Sequence, residues 1–207
     1  MKPELNQTPS APVEPSAPGG GPFVAPGARP ATLLPIELHL IDPFQRALLV
    51  NDGTVTRLIE AHTLEPVRVT CLEYTCFTLD QDDPWLEAPR VTPMVRRRVI
   101  LEGAHSGTPY VYAEALIVAQ RLPGEARRRL RIQGQSMGRI LSETKMETRR
   151  EILWCGREGA DKLPDAARRL AEVEVLTRAY RIMFAGHAVA LITERFPRPF
   201  PSPPSAG

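Results

Sequence analysis

The last regular stretch of the chain, residues 178–197, predicts a β-hairpin and limits how the rest can fold. Two apolar, β-rich runs flank Ala185-Gly186-His187, and glycine is favoured where a tight turn needs a positive φ. Because side chains alternate across a strand, Glu194 should share a face with Ile192 and Phe196. A carboxylate in such an apolar row is either an edge residue or a buried acid with a function.

Both ends of the chain have compositions typical of disorder. Residues 1–36 contain nine prolines and a run of three glycines, and residues 198–207 are also rich in proline. Such segments cannot bury enough apolar surface to offset the entropy lost on ordering. We therefore predict two disordered tails, with residues 37–197 forming one domain of ordinary size.

Charge and cysteine content exclude several classes of protein. A net charge of +2 provides no strong field for nucleic acid or membranes, and no basic stripe with interleaved aromatic residues is present. Three cysteines without a Cys-x-x-Cys pair argue against a disulfide framework or a zinc site. No signal peptide or membrane-spanning apolar run is found. We predict a cytoplasmic protein that binds no metal, membrane or nucleic acid.

Hydrophobic periodicity predicts an α+β fold. Besides the hairpin, strands are expected over 67–79, 95–101, 109–118 and 148–155, helices over 40–50, 54–61, 122–132 and 136–142, and a loop with a helix over 157–173. Asp42 is a plausible N-cap with Pro43 at the first helical position. Five or six strands, mostly joined by hairpins, with helices in two groups, predict an antiparallel sheet with helices packed on one face.

Three charged residues fall in apolar rows of the predicted strands: Arg97, Glu114 and Glu194. They could pair with one another as buried salt bridges, or lie on an exposed sheet face. Alternatively, Arg97 could form a bidentate site for a carboxylate, while a glutamate in the same pocket accepts a hydrogen bond from a hydroxyl or moves a proton. An arginine and a glutamate at opposite ends of one pocket would suit a hydroxylated ring acid. The chain contains no phosphate loop, nucleophile elbow or His/Cys metal cluster.

A set of short segments extends this interpretation. They occupy residues 48–57, 97–101, 112–117, 121–123, 137–141, 147–152 and 180–197. No single segment is specific, but their order and spacing across residues 40–197 resemble the chorismate pyruvate-lyase (4-hydroxybenzoate synthase) family. Ala113-Glu114 and the run Glu147-Thr148-Arg149 look most like its actinobacterial and cyanobacterial branch.

The resemblance implies a six-stranded antiparallel sheet with helical flaps that close over an internal pocket. It also implies a lyase that splits chorismate into 4-hydroxybenzoate and pyruvate without a cofactor. Arg97 matches the arginine that grips the ring carboxylate, and the backbone N–H of Met137 matches a second donor to that group. Glu194 matches the glutamate near the ring hydroxyl, with a further backbone contact near Val55. Arg97 and Glu194 are thus the predicted catalytic pair.

One position departs from part of the family. In enterobacterial members the position of Glu114 is basic and can help to hold an anion, whereas here it is acidic. We retain Glu114 as a predicted binding residue, and Arg149, Arg157 and Lys145 are alternative partners for the enolpyruvyl carboxylate. Two other functions remain open, namely a non-catalytic, effector-sensing domain that binds an aromatic acid, and a lyase that yields another hydroxybenzoate.

Overall fold

The C-terminal hairpin lies inside a six-stranded antiparallel sheet in the computed structural model, which describes residues 21–132 and 134–201. The strands are β1 (Val67–Thr78), β2 (Pro93–Gly103), β3 (Pro109–Ile117), β4 (Thr148–Gly159), β5 (Glu174–Phe184) and β6 (His187–Arg198). Their order is β1-β2-β3-β6-β5-β4, and every neighbouring pair is antiparallel. The hairpin of β5 and β6 therefore joins the two halves of the sheet.

The described residues form four α-helices: α1 (Pro43–Val50), α2 (Val55–Thr63), α3 (Gly124–Leu130) and α4 (Met137–Glu143). The predicted cap of α1 is confirmed, because the Asp42 carboxylate accepts hydrogen bonds from the N–H groups of Phe44 and Gln45. Ser136 caps α4 by accepting a hydrogen bond from the Arg139 N–H.

All four α-helices pack on one face of the sheet. Leu48 of α1 and Ile59 of α2 are buried with Val99 and Phe196, while Ile140 of α4 is buried in the core that also contains strands β5 and β6. The predicted α+β fold, with an antiparallel sheet and helices on one face, is confirmed.

The other face is covered by short 3-10 helices, Ala160–Lys162 and Asp165–Leu170, and by the loop between β1 and β2. The prediction that residues 157–173 form only a loop and a helix is wrong, because β4 continues to Gly159. Glu158 accepts hydrogen bonds from Thr177 (2.9 Å) and Arg195 (2.7 Å), so polar residues that suggested a loop find partners within the sheet.

An N-terminal segment that was predicted to be disordered packs along β4. The backbone N–H groups of Val24 and Ala25 donate to carbonyl oxygens of β4, and Leu34 exchanges two backbone hydrogen bonds with Arg157. Leu33 is buried between this segment and the sheet, with 7% of its surface exposed.

Residues on both sides of the predicted domain, 37–197, thus make contacts with it. At the C-terminal end, Phe200 packs against the rings of Phe44 and Tyr110. In both places a few apolar side chains within proline-rich sequence find sites on the domain, which composition alone does not reveal. The predictions for residues 1–20 and 202–207 lie outside the described residues.

Candidate functional site

A cavity of about 60 Å³ lies between the sheet and the helices that cover it. This is several times the roughly 10–15 Å³ that one water molecule needs by the same measure. Arg97, Ala115 and Glu194 are among the residues on its floor, and the segments 53–56 and 136–138 cover it. The cavity therefore lies beneath helical segments, as the family resemblance implies.

Strand register explains why the cavity forms here. Arg97 pairs with Ala115, and Ala113, the next residue on that face of β3, pairs with Glu194 on β6. Two alanines thus leave open space between a long cation and a carboxylate. With strands about 4.8 Å apart and a rise of about 3.4 Å per residue, the Cα atoms of Arg97 and Glu194 are separated by roughly 12 Å.

Arg97 is a buried cation without a carboxylate partner in the described parts of the chain. Only 3% of the residue is exposed. Its Nη2 donates a hydrogen bond to the Gln135 carbonyl, and its Nε has no hydrogen-bond partner among the described residues. Burial lowers the pKa of the guanidinium, and the neighbouring Cys71 and Tyr74 partly oppose this shift. A buried charge that lacks a counter-ion is costly, so this position is suited to an anionic ligand.

Glu194 is also buried, with 7% of its surface exposed, but it has partners. Arg178 donates from Nε (2.8 Å), with Nη2 at 2.7 Å from the same carboxylate oxygen, and the Tyr180 hydroxyl donates across 3.1 Å. Burial, followed by the charge of Glu194, raises the pKa of Tyr180, so its hydroxyl keeps its proton. Glu194 therefore presents a firmly held carboxylate to the cavity.

Arg178 was not among the predicted site residues, although it is completely buried. Besides Glu194, it donates to the carbonyl oxygens of Leu48 (2.6 Å) and Asn51 (2.7 Å). These bonds join the acid of the site to the segment between α1 and α2. Strand parity contained a signal for Arg178, because it lies two residues before Tyr180 on the same face of β5.

The two covering segments meet above the cavity. Val55 begins α2 and Met137 begins α4, and both line the cavity as predicted from the resemblance. The first backbone N–H groups of a helix have no partner within it, so they are free to bind a ligand. A Cβ atom on Gly138 would lie 3.2 Å from Cγ2 of Thr54, so any larger residue here would require Thr54 to shift slightly.

Glu114, a predicted binding residue, is not among the residues that line the cavity. Glu114 pairs in register with Arg98, and the two side chains form an ion pair on the sheet face opposite the cavity. Glu73 also binds Arg98, at 2.7 Å. The parity of β3 was correct, but parity within one strand does not say which face the helices cover.

The arginines of β4 also differ in whether they line the cavity. Arg149 forms an ion pair with Glu151, and Arg157 does so with Glu174 at 2.6 Å. Neither lines the cavity, and nor does Lys145. Arg150, which the sequence pattern did not single out, does line it.

Neither a membrane span nor a metal cluster is found within residues 21–132 and 134–201. No helix there is long and apolar enough to cross a membrane. No group of three or more His, Cys, Asp or Glu residues in these ranges could hold a metal ion.

Comparison with solved structures identifies the same fold in a protein of different sequence. The effector domain of PhnF from Mycobacterium smegmatis superimposes with a TM-score of 0.54 and 14% sequence identity, covering 79% of this chain and 91% of that domain. A longer PhnF chain from the same organism gives a TM-score of 0.52 and 15% identity, over 70% of this chain and 64% of that one. At this identity the similarity establishes the fold alone.

Sequence comparison identifies relatives with a named activity. The chain is 28% identical over 176 residues to a chorismate pyruvate-lyase of Mycobacterium leprae (strain TN), covering 81% of this chain and 80% of the relative. It is 25% identical over 167 residues to a chorismate pyruvate-lyase of Mycobacterium tuberculosis (strain ATCC 25618 / H37Rv), covering 78% of this chain and 83% of the relative. The model of the Rv2949c-like chorismate pyruvate-lyases matches residues 49–201, which include every strand and the whole cavity. The chain therefore belongs to the Rv2949c-like chorismate pyruvate-lyase family.

Proposed function

We propose that the protein is a lyase that removes pyruvate from chorismate to give 4-hydroxybenzoate, without a cofactor. One observation carries the proposal. A buried arginine that has no carboxylate partner among the described residues and a buried glutamate face the same cavity from β2 and β6, with two alanines between them. The names of the curated relatives support the same reaction.

Substrate binding begins at Arg97. The ring carboxylate of chorismate accepts hydrogen bonds from the guanidinium, whose Nε is unused, and from the free backbone N–H of Met137. This contact supplies the counter-ion that Arg97 lacks. The ring then extends over Ala113 and Ala115 towards Glu194.

The reaction is an elimination that aromatises the ring. The ring carbon that bears the hydroxyl loses a proton, and the bond between the adjacent ring carbon and the ether oxygen breaks. The electron pair of that bond leaves with the enolpyruvyl group, which takes up a proton on carbon to become pyruvate. Glu194, held by Arg178 and Tyr180, accepts a hydrogen bond from the ring hydroxyl or takes the departing proton.

The covering segments exclude water and control exchange with solvent. Both segments line the cavity, and we assign the backbone near Val55 to the ring hydroxyl and the Met137 N–H to the ring carboxylate. Water exclusion favours elimination over competing reactions of the substrate. Because a flat product must leave through the same segments, we expect product release to limit turnover.

The test is to incubate the purified protein with chorismate and to measure pyruvate and aromatic acids. Arg97→Gln should lower kcat/KM by roughly 100-fold or more, the effect expected when one partner of a buried charged contact is removed. Arg98→Gln is the matched control, because Arg98 is the next residue on β2 and faces away from the cavity. It should retain wild-type activity within about threefold, which corresponds to less than about 0.7 kcal/mol.

Different failures have different meanings. Absence of pyruvate with the wild-type protein would refute the lyase. Undiminished activity of Arg97→Gln would refute the site while leaving the reaction intact. Chromatography of the product distinguishes 4-hydroxybenzoate from its isomers.

The fold shared with the PhnF effector domain gives a second candidate, a non-catalytic domain that binds an aromatic acid. Calorimetry with chorismate and 4-hydroxybenzoate separates the two functions. Tight binding, with chorismate recovered intact, would favour the second candidate.

A further inference from the structure

Arg150 is a second arginine of the cavity, and neither the strand pattern nor the family resemblance gave it a role. We propose that Arg150 binds the carboxylate of the enolpyruvyl arm, so that the site distinguishes the dianionic substrate from the monoanionic product. This inference rests on the proposed function and names the group that recognises the second charge.

Strand register directs Arg150 towards the cavity. It pairs with Ile182 of β5, whereas the next residue on the same face, Ile152, pairs with Tyr180. Arg150 therefore shares a face with the residues beneath the helices. Its charge is close enough to Tyr180 to oppose the rise in the pKa of that hydroxyl. Arg150 is thus near the end of the cavity where Tyr180 holds Glu194.

The guanidinium of Arg150 also lies between the two covering segments. Nη1 donates to the carbonyl oxygen of Asp52 across 2.8 Å. Nη2 lies 3.5 Å from the place that a Cβ atom would occupy on Gly138. A ligand that contacts Arg150 would therefore sit directly beneath the closed segments.

Arg150 differs from its neighbours on β4 in having no carboxylate partner within the described residues. Arg149 pairs with Glu151, and Arg157 pairs with Glu174. The Nε of Arg150 is buried and has no hydrogen-bond partner in this part of the chain. An arginine with an unfilled donor at the wall of a cavity is suited to binding an anion.

The chemistry of chorismate places its second anion at this end. The enolpyruvyl ether is attached to the ring carbon next to the one that bears the hydroxyl. With the ring carboxylate on Arg97 and the hydroxyl at Glu194, the enolpyruvyl carboxylate lies beside the hydroxyl end, and Arg150 is near Tyr180 at this end. This carboxylate departs with pyruvate when the ether bond breaks, so 4-hydroxybenzoate cannot make the contact.

The experiment compares ligands with two charges and with one. KM and kcat for chorismate, and the Kd for 4-hydroxybenzoate from calorimetry, are measured for wild type, Arg150→Gln, Arg150→Lys and Arg149→Gln. A charge-assisted hydrogen bond corresponds to a change of roughly tenfold to 100-fold. Arg150→Gln should lower kcat/KM for chorismate by that factor. The Kd for 4-hydroxybenzoate should change by less than about twofold, which is smaller than the effect of losing even a weak charge-assisted hydrogen bond.

The other variants separate charge from folding. Arg150→Lys keeps the charge and should recover most of the loss, whereas Arg149→Gln, at an exposed neighbouring position, should resemble wild type. Circular dichroism and the Tm identify any variant that fails to fold.

Equal weakening of both ligands in Arg150→Gln would overturn the inference, because it would place Arg150 on the ring or on the covering segments. Unchanged chorismate kinetics would overturn it as well. If wild type makes no pyruvate, the proposed function fails separately. Calorimetric binding of intact chorismate to wild type and Arg150→Gln then still decides whether Arg150 recognises the second carboxylate.

Discussion

Arg178 shows how much of the site depends on one residue outside the cavity lining. It is completely buried, and its guanidinium contacts Glu194 and the carbonyl oxygens of Leu48 and Asn51. Removing a guanidinium from water costs several kcal/mol unless its donors find partners. The same contacts that offset this cost set the position of Glu194 and of the segment that closes the cavity.

Arg178→Gln should lower the free energy of unfolding by about 3–5 kcal/mol, because it leaves the Glu194 carboxylate buried without its counter-ion. Arg168→Gln is the control. Arg168 forms an ion pair with Asp165 across 3.0 Å, both side chains are exposed, and its loss should cost at most about 1 kcal/mol. Urea denaturation followed by circular dichroism measures both. Equal costs would show that Arg178 does not stabilise Glu194 in this way.

The double variant Arg178→Gln/Glu194→Gln provides a further check on the pair. It removes both charges and should recover part of the stability lost in the single variant. No recovery would assign the loss to the bonds with Leu48 and Asn51.

Some residues of the site could be predicted from sequence because strand alternation is a local property. Arg97 and Glu194 fall in apolar rows, and both lie where parity placed them. Glu114 obeys the same rule, yet it lies on the opposite face, since the side of a sheet that helices cover is decided by distant segments. Arg150 required the register between β4 and β5, which a bulge in β4 alters.

At the scale of elements, the turn between β2 and β3 is held by Glu65, which precedes β1. Its carboxylate accepts hydrogen bonds from the Tyr110 hydroxyl, from the Ser106 hydroxyl, and from the backbone N–H groups of His105 and Ser106. These bonds lower the pKa of Glu65 to about 2 from an ordinary value of 4.5, and the hydrogen bond from Tyr110 contributes most. The ionised carboxylate thus ties the turn to the start of the sheet.

The depressed pKa of Glu65 predicts a pH dependence of stability. A carboxyl group whose folded-state pKa is lowered stabilises the fold above its unfolded pKa, and this stabilisation is lost as the pH falls from about 4.5 towards 2. Glu65→Gln should remove that part of the acid dependence. Urea midpoints measured across this range, with Glu172→Gln at an exposed position as control, test the assignment. Identical slopes for Glu65→Gln and wild type would contradict it.

Elements with strong local patterns were predicted well. The strands from β1 to β3, the cap of α1 and the final hairpin agree with their sequence patterns to within a few residues. The end of β4 could not be predicted in this way, because Arg157 and Glu158 have polar side chains whose cross-strand partners come from β5 and β6. Partners so distant along the chain leave no periodic signal.

At the scale of the whole molecule, residues 24–34 pack against the outer strand of the sheet. Leu33→Ala should lower the free energy of unfolding by about 2 kcal/mol, because it removes a buried side chain from the contact with β4. Leu34→Ala is the matched control, since this side chain is half exposed while its backbone makes the bonds to Arg157. It should change stability by no more than about 0.5 kcal/mol.

Thermal unfolding of both variants should show one transition, because the segment and the sheet unfold together. A wild-type Tm for Leu33→Ala would show that the segment detaches without affecting the domain. Composition predicted the opposite organisation, with a boundary at residue 37. Proline content indicates how readily a segment orders by itself. It carries no information about whether another part of the chain, here β4, binds that segment.

The position of this segment along β4 has a consequence for self-association. β4 is the last strand of the sheet, and an outer strand with unsatisfied backbone groups can recruit a strand from another molecule. Here Val24, Ala25 and Leu34 occupy hydrogen-bonding positions on that strand. These residues therefore cover part of the edge at which another molecule could add a strand. Proline within the same segment offers no N–H to a further strand.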